Sequence, residues 1–418
     1  MANSEAGFKI PPEERQSWLS LTAIWIGNMI CLPALMVGGF LAAGLSIAEV
    51  FIALVVGFAI ILVYMCLIGM QSEDLGLPTV SCAENALGTL GSRFVISLLI
   101  GLACIGWFGV QAAVCGASFS SMFGGITGVQ IPETVSTLFW GGIMLLTALF
   151  GYKAMKYLNY VVVPLLVLVL GYTAYASLFR AGGVQTIAAY RPPQSAGLLS
   201  GFSIVVGSFA LGGVISGDCS RYAKSRADVI KSSVLGVLPV SLLIMGLGAA
   251  SAIASGQYDI TQILVSLGLP YIGLLVLILA TWSTNILNAY SGGIALSNAL
   301  GFTEKRYKLT TAVAGVLGTV LGAAGLMTKF TGFLGILSAF IPPVAGVMIA
   351  AYWIVGKGKR ENFKAVKGVN AAGVVSFAVG AIAAYLSSLK GFLIAPINGI
   401  VLSMALYIVL NKVLPGKE

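Results

Sequence analysis

Histidine is absent from all 418 residues. No imidazole can therefore serve as a base, a proton relay or a metal ligand. Charge is scarce: Asp, Glu, Lys and Arg make up 9% of the chain, where a soluble domain carries about 25%. Hydrophobic residues reach 58%, against roughly 45–50% in a soluble domain, and the two departures together exclude a soluble fold. Six cysteines occur, Cys31, Cys66, Cys82, Cys104, Cys115 and Cys219. They form no CxxC pair and most lie in apolar runs, so they read as small buried hydrophobes, not as disulfides or metal ligands. Long polar stretches are missing too. The longest, 179–197, 218–228 and 356–368, are loops and leave no room for a separate soluble domain. The polar N-terminus, MANSEAGFKIPPEERQSW, lacks the basic start, short apolar core and cleavage site of a removable leader, and none is expected. A first membrane span begins near Trp18.

What is present is a series of apolar runs. A helix needs about 20 apolar residues to cross a bilayer. Twelve runs satisfy this: 18–43, 47–70, 94–122, 132–151, 157–178, 198–217, 229–253, 264–291, 309–327, 331–355, 369–387 and 391–411. Lys153 and Lys156 divide the fourth from the fifth. If the N-terminus is cytoplasmic and the spans alternate, only Arg180, Arg191, Lys329 and Lys390 fall outside. The other 19 of the 23 Lys and Arg fall inside. One span more or fewer would scramble this bias, so the charges support twelve spans with both termini cytoplasmic. The formal charge of +9 is then topological and does not point to nucleic acid. The 53 glycines sit inside the apolar runs, where small residues let helices pack closely.

Two spans carry helix breakers. Span one reads WIGNMICLPALMVGG from Trp25 to Gly39, with Pro33 in its middle. Span six reads VVGSFALGGVISG from Val205 to Gly217, with Gly207, Gly212 and Gly213 at mid-membrane depth. Proline removes a backbone donor and glycine permits unwinding. A pair of interrupted spans in corresponding halves points to a transporter built on an inverted repeat. Spans one to five (18–178) would form one repeat and spans six to ten (198–355) the other, with two helices (369–411) added. Backbone groups freed at mid-membrane must meet substrate, ion or water.

Polar residues gather at that same depth. Ser283, Thr284, Asn285, Asn288 and Ser291 cluster on span eight. The two adjacent hydroxyls, with free carbonyls on span one, would give a sodium ion hard oxygen ligands without a carboxylate. Bonding between or within helices is the alternative use of such groups. On span three, Cys104, Trp107 and Gln111 share a face by their spacing. An indole beside an amide suits a flat polar ligand; plain packing is the alternative. No charged residue lies in the middle of any span, and a buried charge is the usual mark of a proton relay or charged cargo. The centre is neutral and hydrogen-bonding, which favours an uncharged substrate and excludes nearly all catalytic machinery. A channel would need a continuous polar pore, whereas these polar residues sit at one depth.

The chain resembles the nucleobase–cation symporter (purine–cytosine permease) family, its cytosine-permease-like branch most of all. The resemblance rests on GGFLAAGLS at 38–46, GWFG at 106–109, VVGSF at 205–209, TWSTN at 281–285 and SAFIPPVAGVMIAAYW at 338–353. It implies an all-α membrane fold of the LeuT type, a five-plus-five inverted repeat with discontinuous helices one and six, working by alternating access. It implies that a base is held against Trp107 and stacked on Phe209, beside Ser208, with Asn285 at the substrate site. It implies a sodium site from the backbones of Gly27, Ile30 and Ala280 and the hydroxyls of Ser283 and Thr284. The sequence departs from the family pattern at Cys104, where relatives have glutamine, at Cys31 or Leu32 in place of an aromatic, and at Ala351 before Tyr352. Gln111, Asn28 and Asn288 offer other polar groups. The expectation is a plasma-membrane importer of a nucleobase or related neutral heterocycle coupled to sodium. Proton-coupled or uncoupled import of a hydantoin, allantoin or a pyrimidine vitamin precursor is the alternative.

Overall fold

The computed structural model describes residues 9–150, 155–180, 183–302 and 306–414. Lys153 lies outside the described residues. In hydrocarbon every backbone polar group needs an internal partner, and the described chain meets this with helices. In chain order these are α1 (Trp18–Met29), α2 (Leu32–Ala42), α3 (Ile47–Leu75), α4 (Thr89–Thr127), α5 (Glu133–Phe150), α6 (Met155–Tyr175), α7 (Gly183–Ala189), α8 (Leu198–Val214), α9 (Arg226–Ser255), α10 (Ile260–Ser266), α11 (Ile272–Ala299), α12 (Tyr307–Ala323), α13 (Phe330–Phe340), α14 (Pro342–Ile349), α15 (Ala371–Lys390) and α16 (Ala395–Val413).

Among the described residues nine helical segments are long and apolar enough to span a membrane, and two bent pairs bring this to eleven. The twelfth expected span corresponds to the shorter apolar helix α12. The first bent pair is α1 and α2, which meet at 57°. Ile30 ends α1 with ψ at 76° and Cys31 is fully extended. Pro33 then opens α2, where its missing N–H costs nothing. In span ten Pro342 and Pro343 start α14, but Ile341 keeps helical dihedrals (φ −84°, ψ −50°) and Leu326–Val355 runs on as one span.

Two expectations are corrected. Span eight does not begin at 264. Gly268, at φ +88°, and Pro270 stop the chain there, so Ile260–Ser266 is a separate short helix and α11 starts at Ile272. In span six the glycines do not unwind. α8 runs through Gly207, Gly212 and Gly213, and the interruption falls at Ile215–Ser216, before a single turn at Gly217–Ser220. Gly207 instead lets α8 touch α13: the Leu334 carbonyl occupies the place a Cβ would take. Gly38 and Gly248 do the same between α2 and α9, against the carbonyls of Met245 and Leu35.

The chain crosses back and forth between two ends. At the first end Arg15 pairs with Glu73 at 2.6 Å. Arg226 grips Asp74 with two bonds, of 2.8 and 2.6 Å. Its guanidinium also lies over Trp353, and Tyr352 donates to the same carboxylate at 2.6 Å. These contacts fasten the lower end of span ten to α3 and α9. Tyr407, near the end of α16, donates to the Asn85 carbonyl, so both described ends of the chain lie here. At the far end Tyr190 donates to the Ala42 carbonyl at 3.0 Å and pairs with the Tyr258 hydroxyl at 2.7 Å. Burial, then the Tyr258 hydroxyl, push the Tyr190 phenol above its ordinary pKa.

Candidate functional site

The centre of the molecule is built around α4. Trp107 is half-buried there, and Phe330 and Phe333 of α13 stand edge-on to its indole at 5.8 and 5.6 Å. Phe40 of α2 continues the cluster onto Phe330 at 5.1 Å. This closeness depends on Gly106, because the Phe333 ring fills the space its side chain would need. The aromatic cluster therefore joins spans one, three and ten on the far-end side of the break in span one.

One turn beyond Trp107, Gln111 is 1% exposed, and its Oε1 has no hydrogen-bond partner. A buried acceptor left unpaired costs about 1–3 kcal/mol, so this amide stands ready for a donor. Phe209 of α8 is half-buried and turned to α1, where it meets Trp25 edge-on at 6.3 Å. Neighbouring Ser208 donates back to the Val205 carbonyl at 2.7 Å. Cys31 sits half-buried at the break itself, and Gly27 and Asn28 are exposed on α1 just before it.

The span-eight residues divide into two groups. Ser283 and Thr284 both donate back to the Ala280 carbonyl of their own helix, each at 3.0 Å, which is the within-helix bonding named above as the alternative use of such hydroxyls. α11 touches the broken helix through α2. Asn285, in contrast, faces neither Trp107 nor open space. It is fully buried and donates to the Phe108 carbonyl at 3.0 Å and to the Met144 sulfur at 3.2 Å, while accepting from Asn288 at 3.2 Å. Its amide ties α11 to α4 and α5. Cys104 is also taken up in packing, facing Gly292 of α11. The helical spacing of Trp107 and Cys104 put both toward one face, but Cys104 lies on the side of that face occupied by α11.

Sequence reasoning missed Phe40, Phe330, Phe333 and Trp25. Each lies in an apolar run where an aromatic is unremarked, and only Pro33 signalled the break that lies between Trp25 and Phe40. The site holds rings, amides, hydroxyls and carbonyls but no activated nucleophile. No group of three or more His, Cys, Asp or Glu that could hold a metal occurs among the described residues. Such a set can bind and release a ligand.

A many-helix fold with a broken first helix, rings at its centre and hydroxyls beside them defines a multi-pass membrane protein, and the permease family that it matches makes it a transporter and not an enzyme. Comparison with known proteins gives the particular group. Residues 9–410 match the family of permeases for cytosine/purines, uracil, thiamine and allantoin, and the chain belongs to that family. It is 30% identical to the cytosine permease of Escherichia coli (strain K12) over 98% of this chain and 94% of the relative. It is 26% identical to the allantoin permease of Bacillus subtilis (strain 168), over 96% and 92%. Among solved structures it is similar to the inward-facing conformation of Mhp1, with a TM-score of 0.83 at 21% identity over 98% and 94% of the two chains. A closed conformation of Mhp1 with bromovinylhydantoin bound gives 0.75 at 21% identity, over 97% and 95%. The fold is thus the LeuT-like fold that the sequence resemblance implied.

Proposed function

We propose that the protein imports a nucleobase or related neutral heterocycle by symport with sodium, using alternating access. The observation that carries this is the unpaired Oε1 of Gln111, buried one turn from the Trp107 indole. A ring N–H of a flat heterocycle lying on the indole is the donor that this acceptor lacks. Relatives that carry cytosine and allantoin in their names support the substrate class. Phe209, Ser208, Cys31, Asn28 and Asn288 complete the proposed substrate shell; Asn285 and Cys104 drop out of it because packing occupies them. Ala280, Ser283 and Thr284 provide three sodium oxygens, and Gly27 and Ile30 provide the other two from the break in span one. Sodium bridging spans one and eight favours the state that binds substrate, and substrate tightens sodium in return.

The first end, with Arg15 and Arg226, is the cytoplasmic one by its basic loops, and the protein sits in the plasma membrane with both termini inside. Residues 18–178 and 198–355 form the two repeats, and 369–411 the added pair. The far-end seal of Tyr190, Tyr258, Phe40 and Phe330 then closes the outside. The test is thermal unfolding of the purified protein against a panel of bases, hydantoins and allantoin, with and without sodium. A binding heterocycle raises the midpoint by mass action, and sodium increases the rise. No response to any member overturns the substrate class, and an equal response without sodium overturns the coupling.

A further inference from the structure

A large cavity lies away from the aromatic centre. It opens between the start of α8, the outer half of span ten and the turn joining α15 to α16, and holds about 1080 Å³. That is just above the roughly 300–1,000 Å³ usual for ligand sites, far more than a lone ion needs. Its walls are mostly apolar, and Leu199 and Ile336 on them are 39% and 49% exposed, as lipid-facing residues are. Lys329 and Lys390 both line it, and no carboxylate does. Both lysines are exposed, and neither has an ion pair among the described residues. They are two of the four cations that the charge pattern assigns to this end of the protein. The first turn of α8, capped by Gly197 without a side-chain hydrogen bond, opens into the same space.

From this we infer that the cavity binds an anionic phospholipid. Its phosphate sits between Lys329 and Lys390, and an acyl chain runs along Ile336 and Leu199. Two cations over an apolar cleft match a molecule with an anionic head and a hydrocarbon tail. The binding does not rest on the transport reading. It reaches the centre through Phe333, which lines this cavity and also stands against Trp107. An occupied cavity braces α13 in that position.

The experiment measures thermal unfolding of the full chain in neutral detergent during titration with phosphatidylglycerol, phosphatidylcholine or inorganic phosphate. A lysine near an anionic lipid surface is worth about fivefold in affinity, so the pair gives a preference of roughly thirtyfold for phosphatidylglycerol over phosphatidylcholine. K329Q or K390Q alone should leave about fivefold. The double variant K329Q/K390Q should abolish the preference, and K329R/K390R should retain it. Equal response to the two lipids, or a preference that survives in K329Q/K390Q, overturns the site. A response to inorganic phosphate alone that equals that to phosphatidylglycerol overturns the lipid as its occupant.

Discussion

The ring of Phe333 stands edge-on to the indole of Trp107, with 5.6 Å between centroids and 79° between planes. One residue belongs to the far-end half of span ten and the other to span three, so the contact ties the two spans together on the far-end side of the centre. Such pairs are worth about 0.5–1.5 kcal/mol beyond their buried area. Trp107→Ala should abolish detectable binding of the heterocycle while the protein remains extractable and folded. Phe333→Ala should weaken binding less, because it removes the lid and keeps the platform. Isothermal titration checks both, and unchanged affinity in Trp107→Ala would refute the platform role.

The shared bonding of Ser283 and Thr284 to one carbonyl predicts a joint effect. Each single alanine leaves one hydroxyl in the cluster. The double replacement should remove the sodium dependence of substrate binding, whereas Thr284→Ser should preserve it. The measurement is substrate affinity at high and low sodium with choline as the balancing cation. A double variant that responds to sodium like the parent protein sinks the assignment.

Gly207 makes a purely steric prediction. A Cβ there meets the Leu334 carbonyl at a distance no real contact shows. Overpacking of this kind costs about 1–3 kcal/mol, so Gly207→Val should lower the unfolding midpoint clearly. A Cβ at Gly142 on α5 would have nothing within 4 Å, and Gly142→Ala should leave the midpoint unchanged or raise it slightly. A neutral Gly207→Val would show that α8 and α13 do not pack through this glycine.

The Asp74–Arg226 pair is bidentate, but the arginine side chain is 43% exposed. Its worth is therefore about 1 kcal/mol at most, and less in high salt. Arg226→Lys should lose nearly as much as Arg226→Ala, since lysine offers neither the planar fork nor the stacking on Trp353. Unfolding midpoints at low and high salt measure it, and a lysine variant equal to the parent would exclude a role for the fork.

Much of this architecture is written in local patterns. The apolar runs marked the nine long helices and both bent pairs, and the break at Ile30–Cys31 followed from Pro33 because proline acts on its own backbone. Glycine is ambiguous in a way proline is not. Gly207 was as good a sign of unwinding as of close approach, and only the position of Leu334, 127 residues later, decides between them. Asn285 shows the same limit: a buried amide seeks some partner, and the sequence does not say whether this is a ligand or the Phe108 carbonyl. The start of span eight was within reach, since Gly268 and Pro270 both argue against a helix there. The Tyr190–Tyr258 pair was not, because two tyrosines in separate loops carry no local signature.

The oxygens that gather at Ala280, Ser283 and Thr284 are all neutral. Any cation they hold keeps its whole charge, because the sequence puts no carboxylate in the middle of any span to cancel it. Moving such a cation through the membrane moves net current, and the voltage across the bilayer contributes about 2.3 kcal/mol per charge per 100 mV. A cycle built on this site is electrogenic, and depolarising the membrane slows it even when both concentrations stay fixed.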